Sequence, residues 1–401
     1  MGIELYPHQI DAIKRMHNRC ILCGGVGSGK SRAALTYFVY SCGGKLCING
    51  KGKYKEMTDR RTLYIITTAK KRDTGEWIQE SIPFYIAPDI VVDSWNNIKK
   101  YVNVYGAFFI FDEQRLIGSG AWVKAFYKIA RKNKWILLSA TPGDAWIDYV
   151  PVFVANGFYK NKTEFLAMHA VFKPYSRYKQ IDRYVDIDIL EELRDKILVT
   201  MPYERNTIRH NIDILCEYDK QKYKMVWRDR WNPYEDEPIR ETGALFYLMR
   251  RVVNEDDSRI RAVRKILEDN ERVIIFYNFN YELEALRAVC SDMDIPYREW
   301  NGILHQDIPT SRTWVYLVQY TAGAEGWNCV STDTVIFFSQ NYSYKILEQA
   351  SGRIDRLNTK YVDLYYYHLK SRAPIDLAIN QAIKKKKKFN EASYFRKRTT
   401  S

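Results

Sequence analysis

Short apolar runs punctuate the first half of the chain. They are CILCGG from Cys20, LYIITTA from Leu63, IVVDSW from Ile90, AFFIFDE from Ala107 and WILLSATP from Trp135. Each is rich in Ile, Val, Leu, Phe and Tyr and too short for a buried helix, which predicts strands covered on both faces. Between them, SRAALTYFVYS and GAWVKAFYKIARKN carry apolar residues at helical spacing. Strand alternating with helix predicts a mostly parallel sheet flanked by helices.

The second half repeats that grammar without repeating the sequence. RVIIFYNF, TWVYLVQY, DTVIFFSQ and YVDLYYYHL read as strands, and YELEALRAVCSDM and YKILEQASGRIDRL as helices. Two tandem α/β domains follow, over residues 1–205 and 206–401. The intervening stretch from Asp144 to Glu255 is less regular, with a helical DIDILEELRDKI and a polar RWNPYEDEP. In the tail, IKKKKKFNEASYFRKRTTS, Lys384 to Lys388 read equally as phosphate contacts at a helix end or as a solvated basic face, and no site is assigned there.

Composition narrows the partners. Sixty-two Lys and Arg against 48 Asp and Glu give a formal charge of +14, a balance that favours a polyanion such as nucleic acid. The N-terminal MGIELYPHQIDAIKRMH lacks the apolar core of a signal peptide, and no run of about 18 apolar residues occurs. Tyr6 stands where a myristoylation signal needs Ser or Thr. These features predict a cytoplasmic protein. The seven cysteines read as buried thiols: Cys20 and Cys23, three apart on a strand, point to opposite faces and cannot share one metal ion.

The most specific string is GGVGSGKS. Gly24, four residues, then Gly29, Lys30 and Ser31 form GxxxxGK[ST] between a strand and a helix. Glycines let consecutive N–H groups converge on phosphate oxygens. The candidate ATP-binding residues are therefore Gly25, Gly27, Ser28, Gly29, Lys30 and Ser31. Lys30 neutralises the β- and γ-phosphates and the Ser31 hydroxyl ligates Mg²⁺. In AFFIFDEQR, Asp112 and Glu113 end a buried strand, where open α/β sheets build their sites. Asp112 is the second candidate Mg²⁺ ligand, and Glu113 the group that orients and deprotonates water.

GGVGSGKS, DEQR and LLSATP, in this order, resemble motifs I, II and III of the superfamily-two helicases and translocases. LYPHQ is similar to their Q motif, TAGAEGWN to motif V and QASGRIDR to motif VI. The tetrad ends in Arg115 and is neither DEAD nor DEAH, which sets it apart from DEAD-box RNA helicases. LYPHQ, TTAKKRDTGEWIQE with Trp77, IIFYNFNYELEAL as motif IV, and AGAEGWN resemble the Swi/Snf-type branch in particular. The compact form resembles members encoded by bacteriophages and mobile elements.

The resemblance implies two RecA-like lobes with ATP in the cleft between them, and Gln9 reading the adenine. Gly326 joins the ATP set. On a helix, Gln349, Arg353 and Arg356 fall at i, i+4 and i+7, one face. The resemblance directs that face at the γ-phosphate, with Arg356 as arginine finger. It also implies strand contacts at Thr68, Lys70, Ser94 and Trp95 in the first lobe, and at Asn278, Asn280, Thr321 and Gly323 in the second.

The function implied is an ATP- and Mg²⁺-dependent motor moving along or remodelling single- or double-stranded DNA. Two other readings stay open: an RNA-stimulated ATPase, and an ATP-switched subunit of a phage replication or nuclease complex.

Overall fold

The computed structural model describes residues 2–86, 89–113, 116, 119–174, 180–203, 206–323, 329–356 and 359–395. The chain divides into two compact units: Met1–Glu204 together with Lys388–Ser401, and Arg205–Lys387.

In the first unit, helix α1 (Pro7–Arg15) precedes β1 (Ile21–Cys23) and α2 (Lys30–Ser41). Then come β2 (Leu63–Thr67), α3 (Ala69–Asp73), α4 (Glu76–Ser81), β3 (Ile90–Ser94) and β4 (Phe108–Asp112). After α5 (Ala121–Ala130) and β5 (Lys134–Ser139) lie α6 (Trp146–Ala155), α7 (Lys162–His169) and an antiparallel pair, β6 (Ala170–Phe172) with β7 (Ile181–Tyr184). Helix α8 (Ile187–Ile197) leads into β8 (Leu198–Thr200).

The sheet has the order β3-β2-β4-β5-β1-β8, with every pairing parallel. Strand alternation sends Ile21, Phe109, Phe111 and Leu137 into one core, and Leu22, Phe108, Ile110 and Leu138 into the other. Cys23 joins the first and Cys20 the second, as the strand argument requires. Burial pushes the Cys20 thiol up to about 12. Phe111 stacks on Trp95 at 5.6 Å and meets Phe126 edge-on at 5.0 Å. A core aromatic of this kind contributes about 3–5 kcal/mol.

The second unit begins with β9 (Ile208–Cys216), α9 (Lys220–Trp227) and a short hairpin, β10 (Trp231–Asn232) with β11 (Glu237–Pro238). It continues through α10 (Thr242–Asn254), α11 (Asp257–Asp269), β12 (Arg272–Tyr277), α12 (Asn280–Asp292), β13 (Tyr297–Trp300) and β14 (Trp314–Gln319). The last elements are α13 (Tyr320–Gly323), β15 (Thr334–Phe337), α14 (Tyr344–Ser351), β16 (Asp363–Ser371) and α15 (Pro374–Phe395). Its sheet, β13-β14-β12-β15-β16-β9, is also parallel throughout. The expected class, two α/β units each built on a parallel sheet, is what the chain adopts.

A buried arginine locks the second unit together. Arg259 donates to the carbonyls of Val253, Phe338 and Leu369, and its Nη2 lies 2.9 Å from Asp376 Oδ2. One side chain thus ties α10, the end of β15, β16 and α15. The basic tail, placed by the sequence with the second unit, groups with the first from Lys388 onward. Among the described residues no helix is long and apolar enough to cross a membrane.

Candidate functional site

All six strands of the first sheet run the same way, so their C-terminal ends lie along one edge. Those ends are Cys23, Thr67, Ser94, Asp112, Ser139 and Thr200, and the phosphate loop, DEQR and the SAT string begin there, whereas LYPHQ leads into α1. The phosphate loop leaves β1 between two neighbours that hold its start. Gly24 N donates to Ser139 O at 3.1 Å, and Met201 N to Cys23 O at 2.7 Å. The Ser139 hydroxyl in turn accepts from Thr141 N at 3.2 Å, which fastens the SAT string to the same corner.

Within the loop, Gly27 and Gly29 adopt φ of 81° and 77°, a region that disfavours any side chain. A Cβ at Gly29 would also collide with the Gln9 amide. Gln9 is buried and donates to Gly29 O at 3.1 Å, while its Oε1 accepts from Tyr6 N at 2.8 Å. It therefore braces the loop from α1, with His8 Nε2 3.1 Å from Ser28 O beside it. Ser28 is buried, and Ser31 is half-buried in the first turn of α2.

Lys30 turns back on its own loop, with Nζ 2.6 Å from Gly24 O and 2.9 Å from Gly25 O. Burial pushes its ammonium down to about 8, helped by the charge of Lys71 and opposed by Asp112 and Glu113. These charges belong to one cluster, so strand order has brought the phosphate-loop lysine and the acidic pair together.

The acidic pair is held from several sides. Asp112 Oδ2 accepts from Thr67 Oγ1 at 2.9 Å, Lys71 Nζ at 3.0 Å and Trp77 Nε1 at 3.1 Å. Lys71 Nζ also lies 2.9 Å from Glu113 Oε1. Burial works against the Lys71 charge, but the two carboxylates outweigh it and its pKa is raised. Glu113 leaves the strand at φ 57°, a left-handed step that costs a non-glycine residue about 1–3 kcal/mol. Lys71 and Thr67 carry no motif signal of their own. Trp77 had one, since the resemblance singled it out.

The strand-contact candidates divide. Trp95 is buried, and its indole donates to Asp112 O at 2.9 Å, so it supports the acidic strand from within and does not present a surface. Ser94 is buried beside Asp93, receiving Arg72 Nη1 at 3.4 Å. Thr68 caps α3, its hydroxyl accepting from Lys71 N at 3.3 Å. Lys70 is half-buried, whereas Asn280 and Thr321 are exposed at the starts of α12 and α13. Gly323 ends α13.

Asn278 serves the fold. It donates to Ser339 Oγ at 2.7 Å and Gln340 O at 3.1 Å, and accepts from Asn341 at 2.9 Å. Behind it, burial raises the pKa of Glu282, a carboxyl that accepts from Asn278 N, Ser339 and Asn254.

The arginine motif departs from expectation. Helix α14 ends at Ser351, with Gly352 as its cap, so Gln349 lies on the helix while Arg353 and Arg356 lie beyond it. The three do not share a helical face. Ile354 is fully buried, and Cys329 N donates to Arg353 O at 3.0 Å, which draws the segment into the core. Gln349 and Arg353 are buried and Arg356 is half-buried. Between them Asp355, 2% exposed, accepts from Thr207 Oγ1 at 2.8 Å and Arg209 Nε at 2.6 Å. Arg209 also reaches Glu348 at 3.2 Å. Gln114, Arg115 and Gly326 lie outside the described residues.

Comparison with known proteins fits this layout. Residues 258–358 match the helicase conserved C-terminal domain. The lymphoid-specific helicase of Homo sapiens is 24% identical over 233 residues, 53% of this chain and 28% of that protein. The ISWI chromatin-remodeling complex ATPase ISW2 of Saccharomyces cerevisiae is 27% identical over 135 residues, 31% of this chain and 12% of the relative. The chain therefore spans under a third of either relative's length. The Sulfolobus solfataricus SWI2/SNF2 ATPase core in complex with dsDNA aligns over 95% of this chain and 91% of its own, at 16% identity and a TM-score of 0.44. Residues 258–358 are thus similar to the helicase conserved C-terminal domain, and the chain is similar in sequence to helicases and chromatin-remodelling ATPases.

Proposed function

We propose that this chain is a DNA-stimulated ATPase that moves along or remodels DNA. The observation that carries the reading is the cluster of Lys30, Asp112 and Glu113 at one sheet edge, in a chain whose residues 258–358 match the helicase conserved C-terminal domain. A phosphate loop alone serves many nucleotide enzymes. Joined to a strand-end Asp-Glu pair, it suits hydrolysis by water. The relatives' names, helicase and chromatin-remodelling ATPase, support DNA as the polyanion for which a +14 chain is suited.

In this reading the loop amides from Gly25 to Gly29 and the Lys30 ammonium bind the β- and γ-phosphates. Releasing Lys30 from the carbonyls of Gly24 and Gly25 lets its charge meet the nucleotide. The donor set suits Mg²⁺, which takes one or two protein oxygens and fills its other positions with water and phosphate. Ser31 and Asp112 would hold it, and it would neutralise charge developing on the phosphoryl group. Glu113 orients the attacking water and takes its proton. Arg353 and Arg356 would add charge at the γ-phosphate, the role that the resemblance gives them. Lys70, Asn280 and Thr321 grip the strand through phosphates, contacts that position without reading sequence.

The test is ATP turnover by the purified chain alone and with single-stranded DNA, double-stranded DNA or RNA, with Lys30→Ala as control. Stimulation of at least about tenfold by DNA, abolished in Lys30→Ala, is expected. A preference for RNA would replace DNA as the substrate. Normal turnover in Lys30→Ala would remove the phosphate-loop assignment.

A further inference from the structure

The second sheet, like the first, is parallel, so its strands end along one edge. In the order β13-β14-β12, those ends are Trp300, Gln319 and Tyr277. The last two lead into Thr321 and Asn280, the exposed strand-contact candidates of the second unit. Trp300 leads into a turn of different character, Asn301-Gly302-Ile303-Leu304. Ile303 is 92% exposed, more than any other large apolar side chain among the described residues, and Leu304 is 41% exposed.

The turn is held rigidly from within. Asn301 Oδ1 accepts from Ile303 N at 2.9 Å and Leu304 N at 2.8 Å, and Asn301 N donates to Leu304 O at 2.8 Å. Below it, Trp300 stacks on His305 with ring centroids 4.6 Å apart. Glu299 and Gln306 add a further pair of bonds, Gln306 N to Glu299 O at 3.0 Å and Glu299 N to Gln306 Oε1 at 2.8 Å. The backbone of the turn is therefore ordered before any contact, which spares that cost on binding. One bond ties it to the neighbouring strand end: Trp300 Nε1 donates at 3.0 Å to the carbonyl of Ala322, between Thr321 and Gly323.

Two aliphatic side chains offer far less than the ~800 Å² per partner of a stable protein interface, and exposed His305 and Asp307 follow them. Their size suits a base step, into which DNA-kinking proteins insert Ile or Leu. The turn stands at the end of the row formed by Thr321 and Asn280. Those polar residues are suited to phosphate, and the apolar tip is suited to the bases beside it.

We propose that Ile303 and Leu304 form an apolar wedge that enters a base step of the DNA held by the second unit and unstacks it. The inference rests on the DNA-stimulated ATPase reading and adds a contact with bases to its phosphate contacts.

The experiment uses the full chain and a set of short duplexes carrying 2-aminopurine at successive positions, with and without a non-hydrolysable ATP analogue. Wild type, the double variant Ile303→Ser/Leu304→Ser and the conservative Ile303→Leu/Leu304→Ile are each brought to saturation, followed by anisotropy of a dye on the same duplex. Unstacking by wild type should raise 2-aminopurine emission roughly threefold at one or more positions, and the serine variant should remove that rise while still binding. The conservative variant should keep it. Both side chains are exposed, so thermal midpoints should match wild type. An equal rise in the serine variant would overturn the wedge. So would a folded serine variant that no longer binds the duplex, since a wedge leaves the phosphate contacts in place. A serine variant altered only in its sedimentation would overturn it too, giving the turn to a second copy of the chain. Wild-type ATP turnover separates the two readings: stimulation by DNA with no rise in emission at any position overturns the wedge alone, and no stimulation overturns the functional reading beneath it.

Discussion

The two units carry their reactive groups on different kinds of support. In the first, Asp112 ends β4 with Glu113 next to it, and Lys30 closes the loop that leaves β1, both strands having parallel neighbours on either side. In the second, Arg353 and Arg356 follow a helix that stops at Ser351, and local packing of Ile354 and the Asp355 contacts place them. A strand end inherits its position from the sheet, whereas a helix end takes it from its cap and its neighbours. The apolar run ahead of Asp112 put it at a strand end, where the structure has it, whereas the shared helical face expected of Gln349, Arg353 and Arg356 is lost because α14 stops at Ser351.

That contrast can be broken from either side. In the second unit, Arg209→Ala removes the guanidinium from buried Asp355, and the expected loss is about 3 kcal/mol, measured by denaturant unfolding, with DNA-stimulated turnover falling as the arginine segment shifts. In the first, Trp77→Phe removes one of several donors to Asp112, and Thr67 and Lys71 remain. The expected loss there is about 1 kcal/mol. Equal losses at the two positions would erase the distinction between sheet-borne and locally borne sites.

A smaller effect concerns acid. His368 of β16, 3.1 Å from Asn211 of β9, is lowered to about 4, chiefly by burial and also by Lys370, with Asp213 opposing. The folded state resists protonating it, so between its ordinary value near 6.5 and about 4 the unfolded chain binds more protons. Its contribution to stability is complete above about 6.5 and is lost as pH falls through that window. Thermal midpoints of wild type and His368→Gln at pH 7 and pH 5 check this. The wild type should lose more on acidification, and parallel losses would remove His368 from the account.

How much was legible follows the same physics. The central strands β1, β2, β4, β5, β12, β14 and β15 are covered on both faces and read as continuous apolar runs. The small β6–β7 pair was missed, and in the two main sheets the strands missed were β8, β9 and β13. Two are short, and β9, IRHNIDILC, alternates because it is an edge strand exposed on one side. The hairpin at Trp231–Pro238 stayed hidden in polar RWNPYEDEP. Among site residues, those set by backbone chemistry were readable, above all the glycines and Lys30. Lys71 was not, since which of two adjacent lysines meets Asp112 depends on the turn of α3 after Thr68. Trp95 and Asn278 were strand-contact candidates by resemblance alone, and their side chains bond inward, to Asp112 O and to Ser339 and Gln340.

The proposed role of Arg356 in hydrolysis is tested most directly by Arg356→Ala, assayed for binding of a fluorescent ATP analogue and for turnover at saturating DNA. The account predicts nucleotide affinity within about fivefold of wild type and turnover lower by ~10³ or more. Wild-type turnover in that variant would contradict it and remove Arg356 from the hydrolytic set.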